Sequence, residues 1–190
     1  GFTLIELSIV LVVIGLIIGG VLVGRDLINA SEIRSQISQI EKFKTATNTF
    51  KLKYGQLPGD MGNQNASAFG FVARSGLNGR GDNDGLIEGY KYNISTVASW
   101  WVQNGENLLF WVDLSQAGLI EGAFNSATDA DIGDVRADGL FGLPFEKVLP
   151  KAKIGNKNFV SVFAGMSPGI DTDKNFFSVS VADVIYSNGI

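Results

Sequence analysis

Apolar residues are unevenly spread along the chain. From Phe2 to Val23 they form a run of 22 residues in which Glu6 is the one charge. At 1.5 Å per residue, a helix of that length spans about 33 Å, close to the roughly 30 Å of a bilayer hydrocarbon core. Beyond Gly24 the apolar positions thin to Ile33, Ile37, Ile40, Phe43 and Phe50, spaced at threes, fours and sevens with Arg, Lys, Gln and Ser between them. That spacing predicts one stripe on an amphipathic helix. No proline occurs before Pro58, so the two segments read as a single helix from about residue 2 to residue 53. Residues 1–24 make its transmembrane half and residues 25–54 an amphipathic stalk. Gly15, Gly19, Gly20 and Gly24 each weaken a helix by about 1 kcal/mol relative to Ala in water, which makes this stretch the place to bend or melt.

After Phe50 the pattern changes. "KLKYGQLPGDMGNQNASAFG" is rich in Gly, Pro and Asn and predicts helix exit near Tyr54, leaving residues 55–190 as one globular head. Within it, "NGENLLFWVDLSQAGLIEG" predicts a second helix, with Asn104 as cap, Glu106 in the first turn, Gly118 at the end, and an apolar face of Leu108, Trp111, Val112 and Leu119. Three segments, "YKYNISTV", "KNFVSVFAGM" and "NFFSVSVADVIY", alternate or run apolar with β-branched and aromatic residues and predict strands. The expected fold class is α+β, a long N-terminal helix packed on a head with a small antiparallel sheet and an additional helix. Trp100, Trp101, Phe110 and Trp111 are expected in the core, which aromatic residues dominate in small domains.

Composition then narrows the chemistry. The chain has no histidine and no cysteine, which removes the commonest general base, thiol and imidazole nucleophile pairs, and thiolate or imidazole zinc sites. No catalytic residues are expected, and the chain does not read as an enzyme. The net charge of −4 is unevenly placed: residues 1–54 hold six Lys/Arg against four Asp/Glu, and residues 55–190 hold nine against fifteen. An acidic head lacks the basic face that neutralises phosphates, so nucleic acid is not an expected partner.

The N-terminal stretch "GFTLIELSIVLVVIGLIIGGVLVG" resembles the N-terminus of the type IV pilin superfamily, which includes pilins and the pseudopilins of type II secretion. The likeness covers about the first 30 residues. It implies cleavage by a prepilin peptidase between Gly1 and Phe2, methylation of the new Phe2 amine, and export from the bacterial inner membrane into a helical filament by a dedicated assembly machinery. Glu6 then matches the family's glutamate. A charge in hydrocarbon is costly and usually functional, and this chain offers no cation before Arg25. The expected partner of Glu6 is the Phe2 α-amine of a neighbouring subunit. The leading expectation is therefore a structural filament subunit, inserted in the inner membrane before assembly and at the cell surface afterwards. The alternatives are a periplasmic pseudopilin or minor pilin of a type II secretion system, and a membrane-anchored calcium-dependent binding module.

Calcium is the one cofactor the head suggests. In "GRGDNDGLIEG", Asp82 and Asp84 precede Gly85 and Ile87, which resembles the first half of a calcium loop, and Glu88 adds an oxygen. Asp82, Asp84 and Glu88 are the expected ligands, against a plain solvated turn. The frame is partial, because it puts Arg80 in the first ligand place and Lys91 in the last. Two further acidic clusters, Asp129, Asp131, Asp134 and Asp138, and Asp171, Asp173 and Asn175, read as hydrophilic loops. The family likeness adds a precedent for calcium in pseudopilin heads.

Overall fold

A computed structural model describes residues 1, 3–77, 79–89, 105–128, 145–164 and 174–181. Phe2, the strand expected over 90–97, Trp100, Trp101, Asn104, Lys91, the cluster from Asp129 to Asp138, Asp171, Asp173 and the end of the last expected strand lie outside these residues.

Helix α1 runs unbroken over Leu4–Tyr54, 51 residues. Its start is fixed by a capping box. Thr3 Oγ1 accepts from the Glu6 N–H at 3.4 Å, while Glu6 Oε2 accepts from the Thr3 N–H at 2.7 Å and from the Thr3 hydroxyl at 2.8 Å. Its end is fixed by Gly55, in the left-handed region at φ 79°, whose N–H donates to Lys51 O at 2.8 Å. The helix continues without a break through Gly15, Gly19, Gly20 and Gly24.

Only the C-terminal part of α1 meets the head. Gln36, Phe43, Ala46 and Phe50 are buried, and Ile40 and Tyr54 pack at the margin. Ile33 and Ile37, expected on the same stripe, are 50% and 58% exposed. At about 100° per residue they sit roughly 80° and 120° around the helix from Phe43, whereas Gln36, Ala46 and Phe50 stay within about 60°. Polar residues extend the seam where the isoleucines turn away. Gln36 Oε1 accepts from Lys153 N at 2.7 Å, and Gln39 Nε2 donates to Lys151 O at 2.9 Å.

Helix α2, Asn63–Phe69, is a short turn of helix in the loop that leaves the stalk. Helix α3, Glu106–Gln116, sits between α1 and the sheet and is the centre of the head. The expected face of Leu108, Trp111 and Val112 is buried, but so is every residue from Glu106 to Leu114. A helix enclosed on all sides has no solvent face, which is why Leu109, Phe110 and Leu114 are apolar as well. Gly105, not Asn104, occupies the N-cap position and supplies no side-chain cap. At the other end Gly118, at φ 67°, donates to Ser115 O and Leu119 to Leu114 O, a Schellman arrangement.

Strands β1 (Asn158–Ala164) and β2 (Asn175–Val181) pair antiparallel, with Val160 opposite Val179 and Phe163 opposite Phe176. The far edge of β1 bonds to the segment around Pro150, through Val160 N to Pro150 O at 2.9 Å. Aromatic rings join the layers: Phe43 meets Trp111 edge-on at 4.9 Å, and Phe177 of β2 lies 5.9 Å from Phe110. The described residues thus form an α+β arrangement of stalk, buried helix and two-stranded sheet.

Candidate functional site

Two regions carry chemistry. The first is the N-terminal part of α1. From Leu4 to Val23 every side chain is exposed, and the helix is long and apolar enough there to cross a membrane. Among the described residues nothing packs against it. A Cβ built on Gly15, Gly19, Gly20 or Gly24 would meet no atom within 4 Å, so no contact among the described residues requires glycine at any of the four. Gly1 is exposed and outside the helix, and Phe2 lies outside the described residues. Glu6 has a partner in its own chain after all, the backbone and side chain of Thr3, both on Oε2. Among the described residues nothing donates to its other oxygen.

The second region is built in the head by three Gly-acid dipeptides. Gly59-Asp60, Gly81-Asp82 and Gly105-Glu106 each place a carboxylate directly after a glycine of positive φ, 86°, 78° and 54°. Two of these glycines are dictated by crowding. A Cβ on Gly59 would lie 2.5 Å from Glu106 O, and one on Gly81 would lie 2.5 Å from Met61 O. The Asp60 loop therefore presses against α3 and the Asp82 loop against Met61 and Arg74, and one oxygen each of Asp60, Asp82 and Glu106 comes within 4.8 Å of the others.

Asp60 and Glu106 are 1% and 0% exposed, while Asp82 is half-buried and closes the group toward solvent. Glu106 is anchored at both oxygens, by Gly81 N at 2.6 Å and Glu88 N at 2.9 Å. Asp60 Oδ2 accepts from Gly85 N at 2.9 Å, but its Oδ1 is buried and accepts nothing. Burial pushes the Glu106 carboxyl up to about 8 against the pull of its two N–H donors, and Asp60 and Asp82 push it further. Burial likewise pushes Asp60 up to about 7, opposed by the Gly85 N–H and reinforced by Asp84. Asp82 is raised by burial first and then by Asp84. Three acids so placed can share protons or hold a hard cation, and no nucleophile or imidazole stands among them.

A buried ion pair supports this group from beneath. Arg74 Nη2 reaches both carboxylate oxygens of Asp113 at 2.5 Å, both side chains being fully enclosed, and Asp113 Oδ2 also accepts from Gly59 N at 2.7 Å. Arg74 further donates to Val72 O. Asp113 thus fixes the residue that precedes Asp60.

Of the expected ligands, only Asp82 enters the three-carboxylate group. Asp84 turns inward on its own loop, its Oδ1 accepting from Leu86 N at 2.8 Å, and Glu88 contributes its backbone N–H to Glu106. Gly85, sixth residue of the calcium-loop frame, donates to Asp60. Asn175, from another acidic cluster, is committed structurally: its Oδ1 accepts from Ile87 N at 2.7 Å and its Nδ2 donates to Gly85 O at 2.9 Å. Asp60, Glu106 and the Arg74–Asp113 pair were not singled out by sequence. The signal for the first two is the repeated Gly-acid step in "LPGD", "GRGD" and "NGEN". Compared with protein-family models, curated proteins and solved structures, the chain matches none.

Proposed function

We propose that the chain is a structural subunit of a type IV pilus-like filament, held in the inner membrane by the first part of α1 and assembled through it. One observation carries the reading: a single helix is packed into a folded head from Gln36 onward, yet from Leu4 to Val23 it exposes fifteen large apolar side chains that no described residue covers. Such a surface requires lipid, and later other copies of itself, to leave water. The four glycines, which no contact among the described residues requires, suit close helix–helix approach in a filament core. The pilin-like "GFTLIE" start agrees, with Gly1/Phe2 as cleavage point and Glu6 as register key for the Phe2 amine of the neighbour. The capping box leaves one Glu6 oxygen for that amine.

Thr3 allows the capping and register roles of Glu6 to be separated. Glu6→Gln keeps an acceptor for the Thr3 N–H and removes the charge, whereas Thr3→Ala removes the hydroxyl of the cap and keeps the charge. With membrane insertion intact in both, sheared filaments are expected from Thr3→Ala and lost in Glu6→Gln. Normal filaments from Glu6→Gln would reduce Glu6 to a helix cap and remove the register argument.

A further inference from the structure

We propose that Asp60, Asp82 and Glu106 form a calcium site that locks the two glycine-rich loops of the head onto α3. The spacing is the first support. Calcium binds oxygen at about 2.3–2.6 Å, so two ligands of one ion lie no more than about 5 Å apart, and the three carboxylates stand within 4.8 Å of one another. The second support is independent of the clustering. Asp60 Oδ1 is enclosed in a residue only 1% exposed and accepts no hydrogen bond among the described residues, an arrangement that costs stability unless something else satisfies it.

The donor set selects the ion. It is all carboxylate oxygen, with no nitrogen or sulfur, which excludes the softer metals' preferred ligands. The ligands come from three separate segments and are all protein carboxylates, which suits the flexible coordination of calcium better than magnesium, which keeps several waters in a strict octahedron. Asp82, half-buried, leaves a path for the ion and for waters to complete its shell. The backbone N–H groups of Gly81 and Glu88 already hold the Glu106 carboxylate and that of Gly85 holds Asp60, so two of the three ligands are preset. The inference does not rest on filament assembly.

The test uses the full chain in detergent micelles, stripped with a chelator and melted while near-UV circular dichroism reports the head. Calcium at about 100-fold above its Kd multiplies the folded-to-unfolded ratio about 100-fold, which raises Tm by about 5–10 °C in a chain of this size. Asp60→Asn and Asp82→Asn each keep the backbone acceptor their loop uses. Both are expected to melt at or above the wild-type temperature in chelator and to lose most of the calcium shift. No shift in the wild type would overturn the site, and a full shift retained in both variants would overturn the ligand assignment. A shift as large with magnesium alone would overturn the choice of calcium.

Discussion

Replacing Arg74 by Met tests the internal logic of the head. The substitution removes the guanidinium that meets both oxygens of Asp113 at 2.5 Å in a fully enclosed pair and leaves a carboxylate buried with only the Gly59 N–H as donor. Breaking one side of such a pair costs about 3–5 kcal/mol, a large share of the roughly 5–15 kcal/mol that holds a domain together. At about 2–4 °C per kcal/mol for a chain of this length, Tm falls by about 6–20 °C. Asp113→Asn strands the guanidinium instead and costs a similar amount. The double variant removes both charges and keeps an acceptor for Gly59, so its loss should be smaller than the sum of the singles by about 2 kcal/mol or more. Urea unfolding followed by near-UV circular dichroism is the suitable assay, because far-UV signal is dominated by α1. Strictly additive losses, or single variants within about 0.5 kcal/mol of wild type, would refute the claim that this pair is a desolvated unit.

Other perturbations separate the pieces of the fold. Gly59→Ala meets Glu106 O at 2.5 Å on top of its positive φ and should unfold or displace the Asp60 loop, whereas Gly55→Ala, at φ 79° with open space around it, should cost only about 1–2 kcal/mol in the same melt. Phe50→Ala empties a fully buried position and should cost about 3–5 kcal/mol, while Leu52→Ala, 88% exposed, should stay within about 0.5 kcal/mol. In chelator the head should lose stability as pH rises from about 4 to 8. Asp60 and Glu106 have folded pKa values of about 7 and 8, above their ordinary 3.8 and 4.5, so the folded state holds the extra protons and their contribution disappears as pH passes those values. A melting temperature that rises across that interval would contradict the burial of these acids.

The parts legible in the sequence are those whose signal is local. The apolar run and the spacing by three and seven of Ile40, Phe43 and Phe50 encode α1 directly, and the alternation in "NFVSVFA" and "NFFSVSV" encodes the two strands. Ile33 and Ile37 misled because a stripe drawn from spacing alone ignores the drift that carries them off the buried face. The capping box was also local, since Thr3 and Glu6 stand in the S/T-x-x-E pattern, but the charge of Glu6 drew the reading toward a partner outside the chain. That Asp82 joins Asp60 and Glu106 was illegible for another reason. They lie more than twenty residues apart, and tertiary packing of Gly59 and Gly81 against neighbouring backbone brings them together. Local spacing pointed to Asp84, whose Oδ1 accepts from Leu86 N in its own loop, and to Glu88, whose backbone N–H donates to Glu106.

Filament formation through the exposed part of α1 is the central claim, and electron microscopy of sheared surface material with mass spectrometry of its N-terminal peptide measures it most directly. The expected result is filaments that contain this chain and begin at a methylated Phe2. A chain found only in the inner membrane, with Gly1 retained and no filaments containing it under conditions of full expression, would contradict it.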